Sequence, residues 1–197
     1  MSQRIAFFDF DGTITTRDTF LEFIKFYKSD WRFYLGFLLY SPYLIAFKLK
    51  LLPNYTAKQK ILTHFFKGEQ VRNFQEACDK FSDARLPALI RPKALIEIER
   101  LREAGFRILI VSASAENWIQ KWASQQKLEL LGTRLAVTDG KINGKIEGRN
   151  CYGEEKVCRI KEEIDLSAYK EIYAYGDSSG DKQMLAIATH PFFKPFR

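Results

Sequence analysis

The chain of 197 residues carries a formal net charge of +7, and 46% of its residues are hydrophobic. This length can bury a full hydrophobic core and suits one large domain or a core with an insertion. Three widely spaced cysteines without a CxxC pair, and two isolated histidines, argue against a disulfide framework and a zinc site. Such cysteines are typical of reduced cytoplasmic thiols, and no signal peptide is visible before the first predicted strand.

The first predicted element is a short buried strand over residues 5–9, which ends in two carboxylates. An apolar, β-prone run of this length is typical of a strand. Asp9 and Asp11 lie at its C-terminal edge, where open α/β sheets bind their ligands, and Gly12 ends the strand. Two neighbouring carboxylates repel each other unless a cation or a shared proton intervenes, so a divalent metal such as Mg²⁺ is predicted here.

Residues 16–92 contain no convincing strand. Helices are predicted near residues 18–28, 31–50, 56–67 and 69–83, and this stretch carries thirteen basic but only seven acidic residues. The excess of positive charge favours an anionic partner, although no segment resembles a nucleic-acid-binding module.

The segment 33–47 within this stretch is uncharged and rich in aromatic residues, and basic residues flank it. Two interpretations remain open. The segment either forms helices buried in the insertion or in a dimer contact, or gives residues 31–50 peripheral contact with a membrane, at the inner face if the protein is cytoplasmic.

The rest of the chain alternates strands with helices. Its predicted elements are strands over 107–112, 133–137 and 172–176, helices near 93–104, 115–127, 154–164 and 181–188, and a small hairpin over 137–146. This alternation favours an α/β fold, with a parallel sheet covered by helices on both faces. We expect a Rossmann-like core domain of residues 1–15 and 93–197, and a helical domain of residues 16–92 inserted after the first strand. Hinges are expected near residues 15–18 and 86–92.

Polar residues follow the later elements at corresponding positions. Ser112 ends one strand, Lys156 lies in the first turn of a helix, and Asp177 and Asp181 follow the last predicted strand. Each alone has an ordinary explanation as a strand end, a solvated lysine or a turn former. With the D-x-D-G-T segment that begins at Asp9, they resemble in order the four motifs of the haloacid dehalogenase superfamily of aspartate-nucleophile phosphatases. The helical insertion resembles the cap of its phosphoserine-phosphatase-like branch, subfamily IB.

This resemblance implies a phosphomonoesterase that acts through an aspartyl-phosphate. Asp9 is then the nucleophile, and Asp11 is the acid that protonates the leaving oxygen and the base that activates water. The resemblance also implies a Mg²⁺ cofactor, held by the Asp9 carboxylate, the main-chain carbonyl of Asp11, and Asp177.

The resemblance assigns the remaining site residues to phosphate binding. Ser112 and the N–H group of Ala113 hold phosphoryl oxygens, and Lys156 supplies positive charge to the phosphate and the nucleophile. Asp181 is expected in an outer shell, where it orients Lys156 or a metal-bound water.

The substrate is less sharply indicated. Asp18 lies where phosphoserine phosphatases carry an acidic residue that reads the substrate amine, but an Asp that caps the following helix explains it equally well. Two departures oppose phosphoserine: those enzymes usually have Ser-Gly-Gly in place of Ser112–Ser114, and Asn in place of Gly180. The segment Cys151–Val157 and the later pair His190-Pro191 resemble instead a sister group that includes a bacterial phosphatidylglycerophosphate phosphatase, and the apolar segment 33–47 fits that group too.

Two other classes compete with a phosphatase. A non-catalytic protein that binds phosphate on the same fold could lose the acidic residues and the lysine, yet Asp9, Asp11, Lys156 and Asp177 are all present. A dehalogenase of this superfamily needs a single Asp and no metal, so the second carboxylate of Asp11 argues against it.

Overall fold

In the computed structural model, which describes residues 4–28, 34, 36, 38 and 54–197, strands form one mixed sheet. The strand order is β4-β3-β2-β1-β5-β6. All pairs are parallel except β3 and β4, which form the predicted hairpin. The strands are β1 Arg4–Phe8, β2 Arg107–Ala115, β3 Glu129–Thr138, β4 Lys141–Glu147, β5 Glu171–Gly176 and β6 His190–Phe193. The predicted α/β class is therefore confirmed.

Helices follow the strands and fill the insertion. They are α1 Thr19–Lys28, α2 Asn54–Phe66, α3 Val71–Ala84, α4 Pro92–Glu103, α5 Glu116–Gln125, α6 Glu154–Glu163 and α7 Lys182–Ala186. Each lies within a few residues of a predicted helix, whereas the prediction for residues 31–50 falls almost wholly outside the described residues. Strand β6 was not predicted, because its four residues pair only with β5 at the edge of the sheet. Among the described residues, no helix combines the length and apolarity needed to cross a bilayer.

The central strand β1 is buried on both faces, and its side chains alternate between two apolar clusters. Ile5 and Phe7 pack in a cluster with Ile160 of α6. Ala6 and Phe8 point to the opposite face, where Phe8 stacks on Tyr175 of β5 with ring centroids 4.2 Å apart. Helices therefore cover both faces of the sheet, as the alternation of elements predicts.

The insertion shares a hydrophobic cluster with the α/β core. Phe23 of α1 is fully buried, and its ring lies 5.0 Å from Trp118 of α5 and 5.4 Å from Phe81 of α3. The two connections also run side by side: Thr16 N donates to Leu89 O at 2.8 Å, and residues 15 and 90 form an antiparallel bridge. These connections coincide with the expected hinges, while the division into two domains stays a prediction.

Phe23 provides a test of this shared cluster. Phe23→Ala should lower the free energy of unfolding by about 3–5 kcal/mol, because a large buried ring is lost and a cavity remains. Urea unfolding followed by circular dichroism measures the change. Phe26→Ala, whose partly exposed ring on the same helix contacts the edge of the cluster at Phe81, is the matched comparison and should cost clearly less than Phe23→Ala. Equal losses for the two variants would contradict the packing role of Phe23.

Candidate active site

A cavity of about 410 Å³ lies at the C-terminal edge of the central strands, beneath helices α1 and α2. The predicted residues that line it are Asp9, Asp11, Asp18, Ala113, Lys156 and Asp181. Strand β1 ends at Phe8, so Asp9 and Asp11 follow the strand in an irregular turn rather than standing on its last residues. The turn nevertheless brings both carboxylates into one cavity, at the edge where parallel sheets bind ligands.

Asp9 occupies a fixed position at the base of this cavity. Its backbone N–H continues the sheet by donating to Tyr175 O at 2.8 Å, and Thr13 Oγ1 donates to Asp9 Oδ2 at 3.0 Å. Gly12 allows the turn because its φ of +83° is left-handed, and a Cβ there would lie 2.6 Å from Asp177 Oδ2. The D-x-D-G-T segment thus places Asp9 beside the acidic loop that follows β5.

Lys156 is fully buried and joins three parts of the site. Its Nζ donates to Asp9 Oδ1 at 2.6 Å, to Val111 O at 2.7 Å and to Asp181 Oδ1 at 2.8 Å. An ammonium group has three protons, and all three are used. The buried charge is therefore balanced by two carboxylates and fully hydrogen-bonded, which is what burial of an ion requires.

The two carboxylates bound to Lys156 have opposite pKa shifts. Burial raises the pKa of Asp9 to about 7, against the lowering effect of Lys156. Burial also acts to raise the pKa of Asp181, but Lys156 and donors from Ser178 hold that pKa below its usual range. Asp181 Oδ2 accepts hydrogen bonds from the N–H groups of Asp177 and Ser178 at 3.1 and 2.9 Å, whereas Asp9 has fewer donors.

Asp11 is tied to the insertion and to the end of β2. Its Oδ1 accepts from Thr19 N at 2.7 Å and from Thr19 Oγ1 at 2.6 Å, and its Oδ2 accepts from Ser114 Oγ at 2.5 Å. Trp118 Nε1 donates to Thr19 Oγ1 at 3.2 Å. Sequence reasoning missed Thr19 and treated Ser114 only as a departure from Ser-Gly-Gly. The departure has a structural reason, since this hydroxyl holds Asp11.

Carboxylate oxygens beside the cavity suit a hard divalent cation. One oxygen each of Asp9, Asp177 and Asp181 lies within 4.8 Å of the others. Asp181 accepts four hydrogen bonds, whereas Asp9 accepts two from the described residues, which leaves Asp9 and Asp177 as the better ligands. Asp177 also accepts from Arg197, and burial raises its pKa. An all-oxygen set of this kind fits Mg²⁺. The predicted contribution of Asp11 is its main-chain carbonyl, and its side chain lies outside this cluster.

Ser112 and Ala113 occupy different positions relative to the cavity. Ala113 lines the cavity, and its carbonyl accepts from Thr133 Oγ1 at 2.6 Å. Ser112 is fully buried beside the cavity without lining it, and its Oγ accepts from Ser114 N at 3.0 Å. As an acceptor of that bond, the Ser112 hydroxyl keeps its own proton to donate.

Lys58 of α2 is a cavity residue that sequence reasoning missed. Its Nζ donates to Ala113 O at 2.5 Å and to Asn150 Oδ1 at 3.2 Å, and it lies 5.6 Å from the centroid of the Phe20 ring. Burial lowers the pKa of Lys58, while the charges of nearby carboxylates oppose that shift. Nothing in the sequence distinguishes this lysine from others on a basic, partly exposed helix.

Asp18 lies at the mouth of the same cavity. Its Oδ1 accepts from Leu21 N at 3.2 Å, so it caps α1 as one of the two interpretations expected. The surrounding protein displaces water from the Asp18 carboxyl, and this desolvation, with the charge of Asp11, raises the pKa of Asp18 to about 6. The residue as a whole remains exposed to solvent.

Gly180 also has a structural reason. A Cβ at this position would lie 2.2 Å from Cε2 of Tyr152, whose hydroxyl group is 3.0 Å from Ser179 Oγ. The Asn that phosphoserine phosphatases carry here is therefore incompatible with the position of the Tyr152 ring.

Comparison with known proteins agrees with this architecture. The family model described as haloacid dehalogenase-like hydrolase matches residues 6–186. Protein CicA of Caulobacter vibrioides is 36% identical over 96% of this chain and 85% of its own length. A probable phosphatase of Mycobacterium tuberculosis is 27% identical over 94% of this chain and 66% of its own length. A phosphoserine phosphatase of Archaeoglobus fulgidus is 28% identical over 46% of this chain and 27% of its own length.

Solved structures share the fold at lower identity. A protein of unknown function from Bordetella pertussis superimposes with a TM-score of 0.81 at 20% identity, over 96% of this chain and 88% of its own. A substrate-bound phosphoserine phosphatase gives a TM-score of 0.63 at 20% identity, over 95% of this chain and 84% of its own.

The ion pairs of Lys156 predict a large effect on stability. Lys156→Met should lower the free energy of unfolding by about 3–5 kcal/mol, because two buried carboxylates lose their shared counter-charge. Urea unfolding measures the loss. Lys161→Met, an exposed lysine on the same helix, should change stability by no more than about 0.5 kcal/mol. A Lys156→Met variant as stable as this control would show that the buried ion pairs contribute nothing to the free energy of unfolding.

Proposed function

The chain belongs to the haloacid dehalogenase-like hydrolase family, and we propose that it is a Mg²⁺-dependent phosphomonoesterase whose nucleophile is Asp9. One observation carries the proposal: a buried carboxylate at the base of the cavity is held by Lys156 at 2.6 Å and Thr13 at 3.0 Å, with the carboxylate of Asp11 in the same cavity. Nucleophilic catalysis by a carboxylate needs such a fixed orientation.

The proposed reaction has two displacements. In the first, an Asp9 oxygen forms a bond to phosphorus while the bond to the leaving oxygen breaks, and Asp11 gives that oxygen a proton. In the second, Asp11 takes a proton from water as the water attacks phosphorus, which releases phosphate and restores the Asp9 carboxylate. Mg²⁺ held by Asp9, Asp177 and the Asp11 carbonyl would offset negative charge on the phosphoryl oxygens when bound.

The hydrogen bonds of Asp11 suit a group that gains and loses a proton. Among the residues that the structure describes, the hydrogen-bond donor to Oδ2 is the Ser114 hydroxyl, which can rotate and become an acceptor when Asp11 is protonated. Thr19 N, in contrast, can only donate to Oδ1. We infer that Oδ2 carries the proton when it rests on Asp11.

Positive charge and N–H groups surround the proposed position of the phosphoryl group. Lys156 lies below it in the core, and Lys58 faces the cavity from the insertion. We assign Ser112 and the Ala113 N–H to the phosphoryl oxygens on the strength of the family motif, together with the free proton of the Ser112 hydroxyl.

The proposed substrate is a phosphorylated metabolite such as phosphoserine, or a lipid phosphate such as phosphatidylglycerophosphate. Asp18 is the residue that would read the amine of phosphoserine. It already caps α1, and the ammonium group of Lys58 is close enough to act on its charge. Both features reduce the attraction of Asp18 for a substrate amine, so they favour a phosphomonoester that lacks one.

Peripheral membrane contact through residues 31–50 belongs to the proposal for lipid substrates. Most of that segment lies outside the described residues, but Tyr34 and Leu38 are exposed. We expect the protein to float with vesicles that contain anionic lipid, and to bind less as salt screens the attraction. Absence of flotation at low salt would contradict membrane contact.

The nucleophile assignment predicts a severe loss for one isosteric change. Asp9→Asn should reduce turnover of an aryl phosphate by roughly 10⁴-fold or more, since an amide cannot form the phosphorylated intermediate. Chelation of Mg²⁺ should abolish turnover of the unaltered protein. Asp83→Asn, on the exposed surface of α3, is the matched control. Activity of Asp9→Asn within a few-fold of this control would exclude Asp9 as nucleophile.

The acid assignment predicts an effect that depends on the leaving group. Asp11→Asn should slow hydrolysis of alkyl phosphates by about 10²–10⁴-fold, because an alkoxide leaves poorly without a proton. Hydrolysis of an activated aryl phosphate should suffer less in the first displacement. Single-turnover measurements compare the two esters. Losses of the same size would point to a positional role for Asp11 instead.

A further inference from the structure

A second cavity of about 720 Å³ adjoins the catalytic cavity. The two cavities share Asn150 and Tyr152 in their walls. The second one contains none of the groups assigned to phosphoryl transfer, and its principal lining residues are Tyr55, Gln59, Ile146, Arg149, Tyr152 and Cys158. It lies between helix α2 of the insertion and the segment that connects β4 to α6.

The walls of this adjoining cavity are chiefly apolar and aromatic. Tyr55 from α2 and Tyr152 from the core keep 54% and 37% of their surface exposed, and Ile146 lines the wall with them. Tyr152 is held in place at the boundary between the cavities by its contacts with Ser179 and Gly180. Large exposed rings around a concave surface are typical of ligand sites.

The charges in the adjoining cavity do not select a second anion. Arg149 brings one positive charge, but Glu154 and Glu155 line the same walls. Glu155 is already paired with Arg159 at 3.1 Å. The adjoining cavity therefore offers apolar surface rather than a net positive field.

The volumes of the two cavities also suit different parts of a substrate. Ligand sites typically measure about 300–1,000 Å³. The catalytic cavity of about 410 Å³ accommodates a phosphoryl group with a short leaving group. The adjoining cavity adds about 720 Å³ that such a substrate would leave empty.

We propose that the adjoining cavity binds the leaving group of the substrate, and that this leaving group is an extended alkyl chain that passes Tyr152. The proposal rests on the proposed function for the phosphoryl end of the substrate. It narrows the substrate class to phosphomonoesters with a long apolar leaving group, and it makes Tyr55, Ile146 and Tyr152 specificity-determining residues.

Binding of alkylphosphonates tests the proposal without requiring turnover. Isothermal titration calorimetry in the presence of Mg²⁺ would give dissociation constants for ethyl-, butyl-, hexyl- and octylphosphonate, all below micelle-forming concentrations. Affinity should rise by about two- to fourfold for each methylene that enters the cavity. Octylphosphonate that binds no more tightly than ethylphosphonate would overturn the proposal.

A variant that fills the adjoining cavity provides the decisive test. Cys158→Trp places a large ring in the wall at an exposed position, and it should remove the dependence on chain length while ethylphosphonate binds as before. Lys161→Trp is the matched control, since it adds the same ring to α6 outside the cavity, and the dependence should persist. Tyr55→Ala should weaken octylphosphonate binding more than ethylphosphonate binding. An unchanged dependence on alkyl-chain length in Cys158→Trp would show that the alkyl group binds elsewhere, and would refute its binding in this cavity.

Turnover separates failure of this proposal from failure of the proposed function. Affinity that depends on alkyl-chain length, with no hydrolysis of alkyl or aryl phosphates, would contradict the proposed phosphatase activity and support the proposed role of the cavity. Hydrolysis of ethyl and octyl phosphate with equal kcat/KM, together with equal phosphonate affinities, would support the phosphatase activity and contradict the proposed role of the cavity.

Discussion

The site depends on one buried ammonium group. Lys156 leaves the start of α6 and uses its three protons on Asp9, Asp181 and the carbonyl of Val111. Asp9 follows β1, Asp181 follows β5 and Val111 lies within β2. A single cation therefore fixes the relative positions of three strands. Gly153 makes the approach possible with a left-handed φ of +65°, and its N–H donates to Gly180 O at 3.0 Å. Without the cation, two carboxylates would be buried side by side without charge compensation.

The two partners of Lys156 differ in how much else binds them. Asp181 accepts additional bonds from the 177–178 backbone and from Ser178 Oγ, so it is stabilised as a carboxylate and oriented toward the lysine. Within the described part of the chain, Asp9 accepts one further hydrogen bond, from Thr13, and burial leaves its pKa near 7. A carboxylate that accepts fewer hydrogen bonds retains more nucleophilic and metal-binding capacity. This asymmetry supports the division into a reactive Asp9 and an orienting Asp181.

The sequence predicts most of the fold because its strands are short apolar runs and its motifs stand at their ends. The same reasoning cannot find β6, whose pairing is visible only from β5, or Lys58, whose position depends on how α2 meets the core. The departures from the family pattern were visible, but their reasons were not. Ser114 contacts Asp11, and Gly180 lies against Tyr152, and both partners are distant in sequence. The reasons for these two departures are therefore visible only in the folded structure.

The insertion is joined to the chemistry by polar as well as apolar contacts. Thr19, the first residue of α1, donates twice to Asp11, and Phe23 one turn later packs on Trp118, which itself donates to Thr19. A displacement of α1 would therefore disturb both the hydrophobic cluster and the position of the proposed acid. Lys58 adds a third link through the Ala113 carbonyl. Because the motif residues of the core bind the phosphoryl end, discrimination between esters has to arise from α2 of the insertion together with the core residues that line the adjoining cavity with it.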